Sequence, residues 1–180
     1  FITGFDKERK SLITYCVDFD KGSVLWQKPV IPDSIEPGHS VSSPAATTPV
    51  TDGHAVYVYF GSYGALCYDF SGNLLWEHKM PVLDAKYGTC GSPVIHDSLM
   101  LINRVDRIKP SLLAIHIKSG KTVWEHFLTL KPGIQKDFSM SYSTPVIWHD
   151  QVILHRNLEL SSLFLKDGSE GWSVGVASTG

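Results

Sequence analysis

Short apolar runs alternate with turn residues along nearly the whole chain, and the stretch from 48 to 79 shows the pattern best. Thr48 to Thr51 is a first run, opened by a proline, which lacks a ladder donor and is tolerated only at such an end position. Asp52-Gly53 is a tight-turn pair. Ala55 to Phe60 is a β-branched and aromatic second run, Gly61 to Gly64 a turn, and Ala65 to Phe70 a third run. Ser71-Gly72-Asn73 then turns the chain into Leu74 to Lys79. This unit predicts a four-stranded antiparallel meander. Helical periodicity appears nowhere over a useful length.

Two landmarks repeat in phase. Gly precedes Trp by four residues at Gly22 and Trp26, Gly72 and Trp76, Gly120 and Trp124, and Gly168 and Trp172, so the Trp spacings are 50, 48 and 48. Thr48-Pro49-Val50, Ser92-Pro93-Val94 and Thr144-Pro145-Val146 recur between them, 27, 31 and 27 residues before the following Trp. A four-stranded unit of that length has the size of a propeller blade. In register, Phe1 to Gly4 matches the end of a second strand, Ser11 to Phe19 a third, and Val24 to Val30 a fourth.

The expected fold is therefore all-β: about three and a half four-stranded blades in an open arc of a seven- or eight-bladed propeller. The chain is expected to be a single partial domain with blade units at about 1–30, 44–80, 88–130 and 140–176. It begins at Phe1 without a charged and then apolar leader, so a true start and any signal peptide are expected to lie outside it.

Composition excludes more than it assigns. With 180 residues, 43% apolar and 19% charged, the chain can bury a sizeable core. Its 16 Lys and Arg are dispersed among 18 Asp and Glu, for a net charge of −2, which argues against a nucleic-acid partner. The longest apolar stretches, Leu12 to Val17 and Leu112 to Ile117, fall far short of the roughly 18 residues of a membrane span.

The residues that could carry chemistry mostly recur with the blade. Cys16 and Cys67 each stand two residues before an Asp, and Ala114 holds the comparable place, which marks a small buried position. Cys90 lies in a loop and is the expected exposed thiol. His78 and His126 each follow a Trp by two, while His54, His96 and His149 fall at first inter-strand turns, so they should point away from a common metal centre. Neither a His-Glu-x-x-His nor a Cys-x-x-Cys pattern is present. Asp18 and Asp69 each precede a turn, where a carboxylate accepts turn amides. The mixed run 6–10 and the cluster Arg104, Asp106, Arg107 and Lys109 are expected to be solvated hairpin loops.

Trp26, Trp76, Trp124 and Trp172 are expected to dock each blade on the next, since one large ring at a fixed point of each fourth strand can bury on the order of 150–250 Å². The connections from fourth to first strands run from about Val30 to Thr47, Met80 to Gly91 and Leu128 to Ser143. Long connections in a compact domain tend to carry function. His39, Tyr87 and Tyr142 are the candidate binding side chains on that face, and the Gly61 to Gly64 turn is the reference surface against which to compare them.

The units resemble the pyrroloquinoline-quinone (PQQ) repeat, most closely at Ala114 to Trp124, over nearly the whole chain. Kelch and WD repeats fit worse, since no Gly-Gly doublet or Trp-Asp pair is present. The resemblance implies two functions. One is a non-catalytic binding or scaffold propeller of the bacterial cell envelope, periplasmic or otherwise extracytoplasmic, similar to the BamB-like lipoproteins and acting on a protein partner without a cofactor. The other is part of a PQQ-dependent quinoprotein alcohol dehydrogenase, which implies PQQ, Ca²⁺, an Asp base and often an adjacent cysteine pair. No such pair and no assignable catalytic or metal constellation is present, which favours the scaffold.

Overall fold

In the computed structural model, residues 1–129, 142–156 and 159–175 are described. Four antiparallel sheets stand in chain order. The first holds β1 (Ile2–Asp6), β2 (Ser11–Val17) and β3 (Val24–Val30), and the second β4 (Val50–Thr51), β5 (Ala55–Phe60), β6 (Gly64–Asp69) and β7 (Leu74–Lys79). The third holds β8 (Val94–His96), β9 (Leu99–Arg104), β10 (Ser111–His116) and β11 (Thr122–Phe127). The fourth holds β12 (Val146–Trp148), β13 (Gln151–Arg156), β14 (Glu159–Phe164) and β15 (Glu170–Gly175). Each is a meander of sequential neighbours, and the fold is a partial β-propeller.

The first strands are shorter than the sequence predicts. β4 begins at Val50 because the Thr48 amide leaves the ladder for the Ser92 hydroxyl and Pro49 has no donor. β2 stops at Val17, and Asp18 instead accepts the amides of Asp20 and Lys21 at 3.1 and 2.9 Å. Asp69 closes the equivalent turn through the amide and side chain of Asn73, both at 2.8 Å. Both carboxylates thus serve turns.

The core lies in the gaps between sheets. Leu12 packs with Val56, Val58, Phe60 and Leu66 between the first and second. Tyr57, Tyr59 and Cys67 meet Met100, Ile102 and Leu113 between the second and third. Leu101, Leu112, Ala114 and Trp124 meet Val152, Leu154 and Leu163 between the third and fourth. Cys67 is buried in this way, its thiol pushed up to about 12 by desolvation, while Cys16 is half-buried and Cys90 exposed.

Where another blade follows, each repeated landmark makes a hydrogen bond to it. At the outer strand, the indole Nε1 of Trp26 donates to Phe70 O (2.9 Å), that of Trp76 to Ile117 O (2.6 Å) and that of Trp124 to Leu165 O (2.8 Å). At the first strand, the Thr48 amide donates to Ser92 Oγ (2.9 Å) and the Ser92 amide to Thr144 Oγ1 (3.2 Å). The Gly of the second, third and fourth Gly-to-Trp motifs belongs to the same device, while Gly22 of the first has nothing within 4 Å of a Cβ. Gly120 sits against the ring of Trp76 in the preceding sheet, with a backbone φ of +67°. Gly72 and Gly168 lie likewise on Trp26 and Trp124. Trp172 closes the series and is 44% exposed.

Candidate functional site

In an antiparallel meander, the links from one outer strand to the next sheet share an edge with the turns between second and third strands. The hydrogen bonds show this: Leu83 N donates to Gly61 O (3.3 Å), Arg107 N to Asp84 O (2.9 Å) and Glu36 N to Ser62 Oγ (2.9 Å). The Gly61 to Gly64 turn is therefore part of the candidate face. It cannot serve as a separate reference surface, because the sheet topology returns β5 to the same edge as the links.

The buried anchor of this face is Glu36. Its carboxylate accepts the Thr89 amide at 2.7 Å and the Thr89 hydroxyl at 2.8 Å, tying the first link to the second. Burial pushes the Glu36 carboxyl up, against the lowering effect of both Thr89 bonds. Gly61 comes so close that a Cβ there would collide with Thr89 Oγ1 and Glu36 Oε2. Sequence reasoning missed Glu36, and the only local signal was an acid flanked by Ile35 and Pro37 within a long link.

His39, Tyr87 and Tyr142 come together, although each is supplied by a different link. The His39 and Tyr87 rings are 5.9 Å apart, and Tyr87 meets Tyr142 edge-on at 5.5 Å. Lys86 Nζ stands 5.5 Å over Tyr87, which is itself 41% exposed. Tyr142 packs beneath on Ala85 and Val105. Cys90 Sγ lies 3.7 Å from Tyr87 O, its thiol pushed up first by burial and then by the charge of Glu36. Most of the third link, expected from Leu128 to Ser143, lies outside the described residues.

The cluster at 104–109 is only partly a solvated loop. Arg104 has 14% side-chain exposure, lies 3.6 Å from Glu125 and donates to Pro81 O at 3.1 Å, because its guanidinium reaches back over the neighbouring sheet. Burial alone would raise Asp106, but the amides of Lys109, Ile108 and Asp84 and the charge of Arg104 hold its carboxyl below the usual range. The histidines stay apart: His78 bonds Gly120 O at 2.7 Å, and His126 lies 3.5 Å from Glu170. Among the described residues, no three His, Cys, Asp or Glu side chains stand close enough to share a metal ion. Nor is any helix there long and apolar enough to cross a membrane.

A family model described as "Outer membrane protein assembly factor BamB" matches residues 9–180, and the chain belongs to this family of PQQ-repeat propellers. Among solved structures it is similar to BamB from Moraxella catarrhalis, with TM-score 0.66 and 16% identity over 98% of this chain and 53% of that one. A quinohemoprotein alcohol dehydrogenase, ADHIIG from Pseudomonas putida HK5, matches with TM-score 0.66 and 11% identity over 93% of this chain and 31% of that one. A europium-containing methanol dehydrogenase matches at 0.68 and 11%, over 91% and 38%. At these identities the structures show the shared propeller fold, and the chain spans about half the length of the Moraxella protein, or 53%. No curated protein matches the chain in sequence.

Proposed function

We propose that the chain is part of a non-catalytic, protein-binding propeller of the bacterial cell envelope, with the face bearing His39, Tyr87 and Tyr142 as its contact surface. The observation that carries this reading is the continuous aromatic surface formed by side chains from three successive links, 5.9 and 5.5 Å apart. Partly exposed aromatic rings fixed on a rigid base are what protein interfaces concentrate. The Glu36 to Thr89 ties supply that rigidity beneath the rings. Membership in a family described as an outer-membrane assembly factor supports both the protein partner and the extracytoplasmic setting. Trp26, Trp76, Trp124 and Trp172 belong in this reading to blade docking, within one continuous partial propeller domain.

The alternative is a segment of a PQQ-dependent dehydrogenase, and the residues present do not fit that group. The cysteines at 16, 67 and 90 are far from adjacent in sequence. The described residues also hold no cluster of three metal-ligating side chains in which an Asp base could stand beside Ca²⁺.

The test is recovery of proteins from detergent-solubilised bacterial envelopes by the immobilised chain. Alanine at His39, Tyr87 and Tyr142 together should abolish the specific recovery, while alanine at Lys21, Lys118 and Lys121 on the opposite edge should preserve it. Equal recovery by both variants would remove the case for this face.

A further inference from the structure

We propose that the gap between the third and fourth sheets binds a neutral, polyhydroxylated small molecule of about monosaccharide size. The backbone pairing identifies what is unusual there. Leu66 pairs with Glu77, Leu113 with Glu125 and Ser161 with Ser173, so the three hold the same place in successive blades. Leu66 fills the gap between the first and second sheets, and Leu113 the gap between the second and third. Leu154 and Leu163 still pack against the third sheet, but Ser161 leaves the part of the next gap beside it unfilled, and its buried Oγ has no hydrogen-bond partner.

A cavity of about 350 Å³ results, lined among others by His126, Arg156, Glu159, Ser161, Glu170 and Trp172. That volume lies within the roughly 300–1,000 Å³ range of small-molecule sites. A second substitution of the repeat makes it polar. Arg104 pairs with Ser111 in the third sheet, whereas Arg156 pairs with Glu159 in the fourth. The two arginines do the same work on their neighbours: Arg104 donates to Pro81 O at 3.1 Å and Arg156 to Thr129 O at 3.0 Å. The carboxylate that stands on the outer strand as Glu125 in the third blade has moved onto β14 as Glu159, where the cavity opens.

The lining selects the ligand chemistry. Arg156 and Glu159 carry opposite charges, and His126 stands 3.5 Å from Glu170. An anion would meet two carboxylates, and a cation would meet Arg156. The unpartnered Ser161 hydroxyl calls for a group that both donates and accepts, which is a hydroxyl, and the already paired Arg156, Glu159, His126 and Glu170 offer further donors and acceptors to neighbouring hydroxyls. Leu128 and Leu163 add apolar wall for C–H faces.

The experiment is titration of the ¹⁵N-labelled full chain with D-glucose, D-galactose and N-acetyl-D-glucosamine at millimolar concentrations. Glycine betaine and citrate are the charged comparators. The expected result is saturable movement of the Ser161, Ser162 and Trp172 signals by at least one sugar. Ser161→Leu, which restores the residue of the second and third blades, and Glu159→Ser, which restores that of the third, should each weaken binding by about tenfold or more while the spectrum stays folded. No movement with any sugar, movement with the charged comparators alone, or binding that survives both substitutions would overturn the proposal.

Discussion

Gly120 and Trp76 lie in different sheets, yet a Cβ on Gly120 would stand 2.7 Å from the indole. Two requirements thus converge on one glycine: the left-handed turn after β10 and room for the ring of the preceding blade.

They can be separated by comparison with Gly53, whose φ is +86° but which has nothing within 4 Å of a Cβ. Gly53→Ala should cost about 1 kcal/mol, the strain of alanine in that region. Gly120→Ala should cost about 1–3 kcal/mol more through overpacking against the ring. Urea denaturation of both variants checks this, and equal losses would show that the ring contact contributes nothing.

Truncating the rings should divide them into two groups. Trp124→Ala should cost about 3–5 kcal/mol through loss of a buried ring and its cavity, and Trp76→Ala should fall in the same range. Trp172, 44% exposed, should cost about 1 kcal/mol or less. Chemical denaturation midpoints at constant m-value give the comparison.

Stability should respond to pH with two opposite signs. Glu36 has a raised carboxyl, so the folded state holds its proton more tightly than the unfolded chain does. Its contribution to stability therefore falls as pH rises from the ordinary glutamate range through the raised folded value. Asp52 and Asp106 are lowered, so their stabilisation is present above the ordinary aspartate value and is lost as pH falls through the folded one. Glu36→Gln should flatten the decline that sets in as pH rises above the ordinary glutamate range and leave the acid limb unchanged. Denaturant midpoints across a pH series measure both limbs, and an unchanged decline in the variant would contradict the assignment to Glu36.

Reconstitution with PQQ and Ca²⁺ should leave the protein without bound quinone absorbance and without dye reduction in the presence of alcohols. Turnover by this chain would contradict the non-catalytic reading directly.

The features legible in the sequence are those that repeat within one blade. Alternation from Ala55 to Phe60, the turn aspartates, and the Gly-to-Trp and Ser/Thr-Pro-Val phases specify strands and sheet order without reference to distant residues. The link residues His39, Tyr87 and Tyr142 could be chosen by loop length and side-chain type, but their mutual contact depends on how successive blades sit. Glu36 was invisible because its partner, Thr89, lies 53 residues away and no local pattern marks the pair. Arg104 reads as a loop charge in the sequence because its carbonyl partner, Pro81, lies 23 residues away in the link that follows β7. The place of Ser161 becomes clear only from strand pairing, since a register shift between Ser161 and Leu163 displaces the simple residue count.

Amide and indole hydrogen exchange of the five tryptophans tests most directly the claim that the recurring landmarks are ties between blades. The indole protons of Trp76 and Trp124, donated to Ile117 O and Leu165 O, should exchange slowest, and that of Trp26, donated to Phe70 O near the surface, should be intermediate. Trp148 and Trp172, 65% and 44% exposed, should exchange fastest. Exchange at one common rate for all five, or protection of Trp172 equal to that of Trp124, would contradict the account.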